Sequence, residues 1–155
     1  MSLYSLVTLL KRRNLTISVA ESMTGGEIAA SITKVPGCSE VFKGGLVVYS
    51  NESKEKLLGI TPHDILAFGV VSKEVSIRMA EECSKVLNTK IAVSITGDAG
   101  PTLSEKNTTF RTFVAITKDG NTISYELPFI SNNRWENIEK TKEFIVDKLI
   151  LLLTY

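Results

Sequence analysis

Two hydrophobic periods alternate along this chain, and that alternation restricts it to folds that combine helices with a sheet. Short β-branched runs stand at residues 15–20 (LTISVA), 44–50 (GGLVVYS) and 90–96 (KIAVSIT). Each has the length and the flanking turn residues of a strand. Between them apolar residues recur every three or four positions, the period of a helix with one buried face. Ser2 can cap a first helix with Leu3, Leu6, Leu9 and Leu10 on one face; Lys11-Arg12-Arg13 at its end suit the helix dipole. A small-residue helix from Glu27 to about Lys34 is broken by Pro36-Gly37. Asn51 reads as the cap of a short helix through Leu58, and Thr61-Pro62 opens another helical turn. Ser72 caps a longer helix with Val75, Met79, Cys83 and Val86 on one stripe.

After a polar loop from Gly97 to about Thr109, residues 111–117 and 122–127 flank Asp119-Gly120, the signature of a two-residue hairpin turn. A last helix from about Asn133 to Leu152 places Trp135, Ile138, Ile145, Leu149 and Leu152 on one face. The KIAVSIT run is the most apolar strand and is expected at the centre of the sheet. Helices before and between strands, plus one hairpin, predict an α/β protein whose mixed sheet is covered on both faces. With 155 residues and no linker or repeat, a single domain over 1–155 is expected.

Charge narrows the partners. Eighteen Lys+Arg against 17 Asp+Glu leave a net charge of +1, which argues against binding nucleic acid by broad phosphate neutralisation. No apolar run reaches the roughly 20 residues that span a bilayer, so no membrane partner is expected. Residues 1–13 carry their charges after the apolar part, unlike a secretory signal. Cys38 and Cys83 form no CxxC, which together with the missing signal predicts free thiols in a reducing, cytoplasmic setting. The single histidine, His63, lies in a helix start and reads as a surface residue, so a histidine zinc site or a Ser-His-Asp triad has little to build on.

Chemistry concentrates in three segments. Glu21-Ser22-Met23-Thr24-Gly25-Gly26 leaves a strand and enters a helix, where backbone N–H groups and the Ser22 and Thr24 hydroxyls can hold an anion; the same residues also make a plain tight turn. Ser39, Tyr49 and Lys54 supply a hydroxyl, a phenol and an amine. Without a usable histidine, a lysine of lowered pKa is the available base for a serine nucleophile; the bland alternative is a turn serine, an inward tyrosine and a solvated lysine. Cys38 beside Ser39 lacks a group to lower its pKa and ranks below it. Gly97-Asp98-Ala99-Gly100-Pro101 ends the central strand and can form the opposite wall of a cleft.

The segments AESMTGGEIAASIT, VPGCSEVFKGGLVVYSNESKEKLLGI, GVVSKEVSIRMAEE and SITGDAGP occur in one order from about Ile17 to Pro101. In this the chain resembles the C-terminal domain of the CinA (competence/damage-inducible protein A) family in its stand-alone form. The resemblance implies a three-layer α/β/α sandwich and nicotinamide mononucleotide amidohydrolase activity, with a small-molecule nucleotide substrate and no metal or cofactor. Carried over by position, it implies catalytic Ser39, Tyr49 and Lys54. It also implies substrate contacts at Ser22, Thr24, Gly25, Gly26, Gly97, Ala99, Gly100 and Arg134. The expected mechanism has Lys54 take the Ser39 proton directly or through Tyr49, with the phosphate against Thr24–Gly26 and the oxyanion near the helix N-terminus. Met23, Gly44, Asp98 and the stretch 102–112 depart from the family pattern. Those departures open a second reading, a CinA-like ligand-binding or assembly protein that does not catalyse. The apolar last helix and the hairpin edge offer a self-association surface, so a homo-oligomer is expected.

Overall fold

The computed structural model of the chain describes residues 1–102, 110–128 and 131–155. Most of the polar loop expected after Gly97 therefore lies outside the described residues. Helix α1 (Leu3–Arg12) leads into β1 (Ile17–Glu21), α2 (Glu27–Thr33), a 3-10 turn (Cys38–Glu40) and β2 (Phe42–Val47). Helices α3 (Asn51–Leu58), α4 (Pro62–Phe68) and α5 (Lys73–Leu87) follow, then β3 (Ile91–Gly97), the hairpin β4 (Thr112–Lys118) and β5 (Asn121–Leu127), and α6 (Arg134–Thr154).

The five strands lie in the order β2-β1-β3-β4-β5. β1 is parallel to both β2 and β3, whereas β3–β4 and β4–β5 are antiparallel, so the sheet is mixed and β3 is central as expected. The central strands are buried throughout, while β2 and β5 alternate as edge strands do. Both central residues of the hairpin turn are left-handed, Asp119 at φ 53° and Gly120 at φ 79°, the geometry that matches strand twist.

The sheet sorts its side chains by size. Ile17, Val19, Ile91, Val93, Ile95, Val114 and Ile116 join the core formed with α1, α2 and α6. The alternate positions are small: Ala20 and Ala92 pack with Val75, Met79 and Cys83 of α5. Buried hydroxyls fill the remaining positions under α5, with Ser94 donating to the Ser76 carbonyl and Ser18 bonded to Thr89. The result is the three-layer α/β/α sandwich.

Three sequence expectations shift. Ser50, not Asn51, caps α3, because Ser50 and Ser53 close a reciprocal capping box. Trp135 is 82% exposed. The buried stripe of α6 instead begins with Asn137 and Thr141, two residues and about 200° round the helix from Trp135. Its first turns face the polar loop after β3, where Asn137 Nδ2 donates to the Ala99 carbonyl, rather than the apolar core. Val86 is exposed, and Leu87, four residues after Cys83, packs in its place.

Gly97 is where β3 comes closest to its neighbour. It pairs with Thr112, and a Cβ there would lie 2.8 Å from Thr112 Cα and 2.9 Å from the Arg111 carbonyl oxygen. Backbone atoms cannot step aside as a flexible side chain can. Gly97→Ala is expected to destabilise the fold by about 2 kcal/mol, read in thermal unfolding as a Tm lower by roughly 5 °C; an unchanged Tm would refute this account.

Candidate active site

From β1 the chain crosses by α2 to β2 on one side, and from β2 it crosses by α5 to β3 on the other. β1 therefore lies where the strand order reverses and the crossovers change face, and ligands bind beyond the carboxyl ends of strands at such a switch point. There the structure holds a cavity of about 270 Å³, whose wall includes Ser22, Tyr49, Lys54, Thr96, Asp98 and Arg134.

Ser22 follows β1 directly, and its N–H donates to the Ile95 carbonyl of β3 at 3.1 Å. Lys54 lies one turn into α3, whose capped start aims the side chain back over the end of β2. The residue is 1% exposed. Nζ donates to the Val48 carbonyl at 2.8 Å and to Ser22 Oγ at 3.0 Å. Among the described residues no carboxylate pairs with it. Burial disfavours the ammonium and lowers the Lys54 pKa from 10.5 to about 8.

Ser39 does not join them. It sits in the 3-10 turn before β2, at the amino end of the sheet, next to the Lys11–Glu40 ion pair. The six residues of β2 separate it from Tyr49 and Lys54, a span of about 20 Å. Residues that bracket one strand lie at its two ends, so the expected Ser39–Tyr49–Lys54 convergence gives way to Ser22–Lys54. Tyr49 stands in the cavity wall, but its hydroxyl accepts from Arg134 Nη2 at 2.8 Å rather than touching Lys54. The expected relay through Tyr49 therefore has no direct link to the amine.

The expected anion cradle at Thr24–Gly26 is also corrected, because α2 already has its carboxylate. Glu21, fully buried, accepts from the Ile28 and Ala29 N–H groups at 2.9 Å each and from Thr24 Oγ1 at 2.7 Å. Gly26 at the helix start has no side chain to cap with, and Glu21 does so from the strand end. Thr24, Gly25 and Gly26 shape the turn and do not line the cavity. Gly97, Ala99 and Arg134 do line it, and Gly100 is tied to it by its carbonyl, which accepts from Arg134 Nη1 at 2.8 Å. Met23, Asn51, Val70, Val71, Thr96 and Thr102 also line it and were not singled out by sequence as contacts; their signal is position, at a strand end or beside a helix cap.

Among the described residues no group of three His, Cys, Asp or Glu side chains is arranged to hold a metal ion. No helix among them is long and apolar enough to cross a membrane, and both cysteines are free thiols.

Comparison with known proteins fits this arrangement. The family model of the CinA C-terminal domain matches residues 3–153. A CinA-like protein of Kosmotoga olearia is 50% identical over 96 residues, 62% of this chain and 23% of its own length. A competence-damage inducible protein of Pediococcus pentosaceus is 35% identical over 149 residues, 86% of this chain and 36% of its own. The chain thus spans about a quarter to a third of the curated relatives it matches. Among solved structures, a competence or damage-inducible protein from Enterobacter asburiae superposes with a TM-score of 0.92 at 26% identity, covering 99% of both chains. The competence/damage inducible protein CihA from Agrobacterium tumefaciens gives 0.90 at 28% identity, covering 99% of this chain and 96% of its own. With the family model spanning nearly its whole length, this chain belongs to the CinA C-terminal domain family.

Proposed function

We propose that the protein is an amidohydrolase that converts the carboxamide of nicotinamide mononucleotide to a carboxylate and releases ammonia, with Ser22 as nucleophile and Lys54 as its base. The observation that carries this reading is the 3.0 Å contact between Ser22 Oγ and the buried Lys54 amine in the cavity wall. A serine–lysine pair is one of the known ways to activate a hydroxyl without histidine. The substrate follows from the family resemblance over residues 17–101.

In the proposed cycle, neutral Lys54 takes the Ser22 proton as Oγ bonds to the amide carbon. The tetrahedral adduct collapses, and the nitrogen takes that proton and leaves as ammonia. Water then attacks the acyl ester, giving its proton to Lys54, and the carboxylate product departs as Ser22 regains a proton. Arg134, a cation in the same wall, would face the anionic part of the nucleotide. Asp98, buried in the same wall, departs from the family pattern at its position and opens the second reading, a binder without turnover.

Ammonia release from nicotinamide mononucleotide by the purified protein separates the two. Ser22→Ala and Lys54→Arg, whose guanidinium cannot serve as a base, are each expected to lower kcat by about 1000-fold or more. Ser39→Ala is expected to stay near wild type. Binding by calorimetry with no ammonia from any form would support the binder instead.

The pH dependence follows from Lys54. Activity requires the free amine, so kcat/KM is expected to rise with pH through a midpoint near 8. Stability follows the same group. The folded pKa of about 8 lies below the ordinary 10.5, so between these values the unfolded chain binds more protons and stability rises with pH. The penalty at neutral pH is about 3 kcal/mol. Lys54→Met removes this titration, so its Tm relative to wild type is expected to be highest below pH 8 and to fall as pH approaches 10.5; a difference independent of pH would contradict the assignment.

A further inference from the structure

We propose that Glu21 is a positioning residue that holds Ser22 against Lys54. The inference rests on the reading of Ser22 and Lys54 as the reacting pair. Glu21 is the last residue of β1 and Ser22 the next in the chain, so whatever fixes the Glu21 side chain fixes the backbone from which Ser22 projects. Its two carboxylate oxygens receive three donors, one from the turn (Thr24 Oγ1) and two from the first turn of α2 (Ile28 and Ala29 N–H). Ser22 is thereby tied from both directions. Its own N–H is held by Ile95 of β3, and the turn beyond it is drawn back onto Glu21 through Thr24.

The Glu21 backbone joins the other partner as well. The Val48 N–H donates to the Glu21 carbonyl at 2.8 Å, and the Val48 carbonyl accepts from Lys54 Nζ. One residue thus registers both halves of the pair: its carbonyl sets Val48, which anchors the amine, and its carboxylate sets the turn that aims the hydroxyl. A carboxylate this buried and this fully engaged sits outside the cavity wall and does not meet substrate. Its contribution to rate comes through the alignment of Ser22 alone.

Glu21→Gln keeps the shape but turns an NH₂ group toward one of the three donors. Thr24→Val breaks one tie and leaves the helix cap in place, while Thr24→Ser restores the hydroxyl. In the wild-type background we expect kcat to fall about 10- to 100-fold in Glu21→Gln, and by about 10-fold in Thr24→Val, with KM for nicotinamide mononucleotide within about twofold. Thr24→Ser should recover most of the rate. The rate at which a fluorophosphonate phosphonylates Ser22, with fluoride leaving, should fall in parallel. Crystal structures of Glu21→Gln and Thr24→Val decide the positioning claim without reference to turnover: loss of the Ser22 Oγ–Lys54 Nζ contact supports it. Retention of that contact near 3.0 Å overturns it, as does a Thr24→Val enzyme with wild-type kcat and phosphonylation rate. An enzyme whose Ser22→Ala form turns over normally would instead remove the reacting-pair reading, an outcome the structures of the variants keep separate.

Discussion

Taking an ammonium out of water costs several kcal/mol unless acceptors replace its hydration, and the amine of Lys54 finds two such acceptors at the carboxyl end of the sheet. One is the carbonyl of Val48, just past β2; the other is the hydroxyl of Ser22, just past β1. Both exist at that point because β1 and β2 run parallel, with Glu21 opposite Val47 at their carboxyl ends. The capping box at Ser50 then turns the chain so that Lys54 reaches back over the strand ends. The site is therefore a product of strand direction. An antiparallel pairing of the same two strands would carry Ser22 and Lys54 to opposite edges.

The layered architecture was legible because its signals are local. Alternating periods marked strands and helices, Asp119-Gly120 marked the hairpin, and Ser2, Thr61 and Ser72 marked helix starts, where the structure shows their side chains accepting from backbone N–H groups. Lys54 and Tyr49 were likewise identifiable as candidates, since each sits at a strand end or helix start, and Arg134 through the family resemblance. The pairing of Ser22 with Lys54 was not, because it depends on which strands lie side by side. Yet the separation of Ser39 from Tyr49 was readable in retrospect: with a strand between them, their side chains emerge at its two ends. The role of Glu21 was hidden for another reason. Its partners lie three, seven and eight residues ahead, across a glycine turn whose left-handed geometry has no hydrophobic pattern to announce it.

Trp135 shows how an apolar residue misleads when it is assigned by period alone. Extending the Ile145–Leu149 stripe backward reaches Thr141 and Asn137, polar residues that a hydrophobic count passes over. Their side chains are nonetheless buried and bonded, Asn137 to the Ala99 and Ser131 carbonyls and Thr141 to the Asn137 carbonyl. A helix that covers a loop at one end and a core at the other changes its chemistry along its length, and its moment is correspondingly weak as a guide to orientation.

The guanidinium of Arg134 bridges the Tyr49 hydroxyl and the Gly100 carbonyl, and so joins the start of the final helix to segments 85 and 34 residues upstream. Ser22 and Lys54 both precede β3 in the chain, but this strut arrives only with α6. During synthesis the Ser22 hydroxyl therefore exists for many residues before its cleft has a complete rim. Completion of the rim is tied to docking of α6, the most downstream of these elements, so the cleft is assembled only after the sheet behind it has been synthesised.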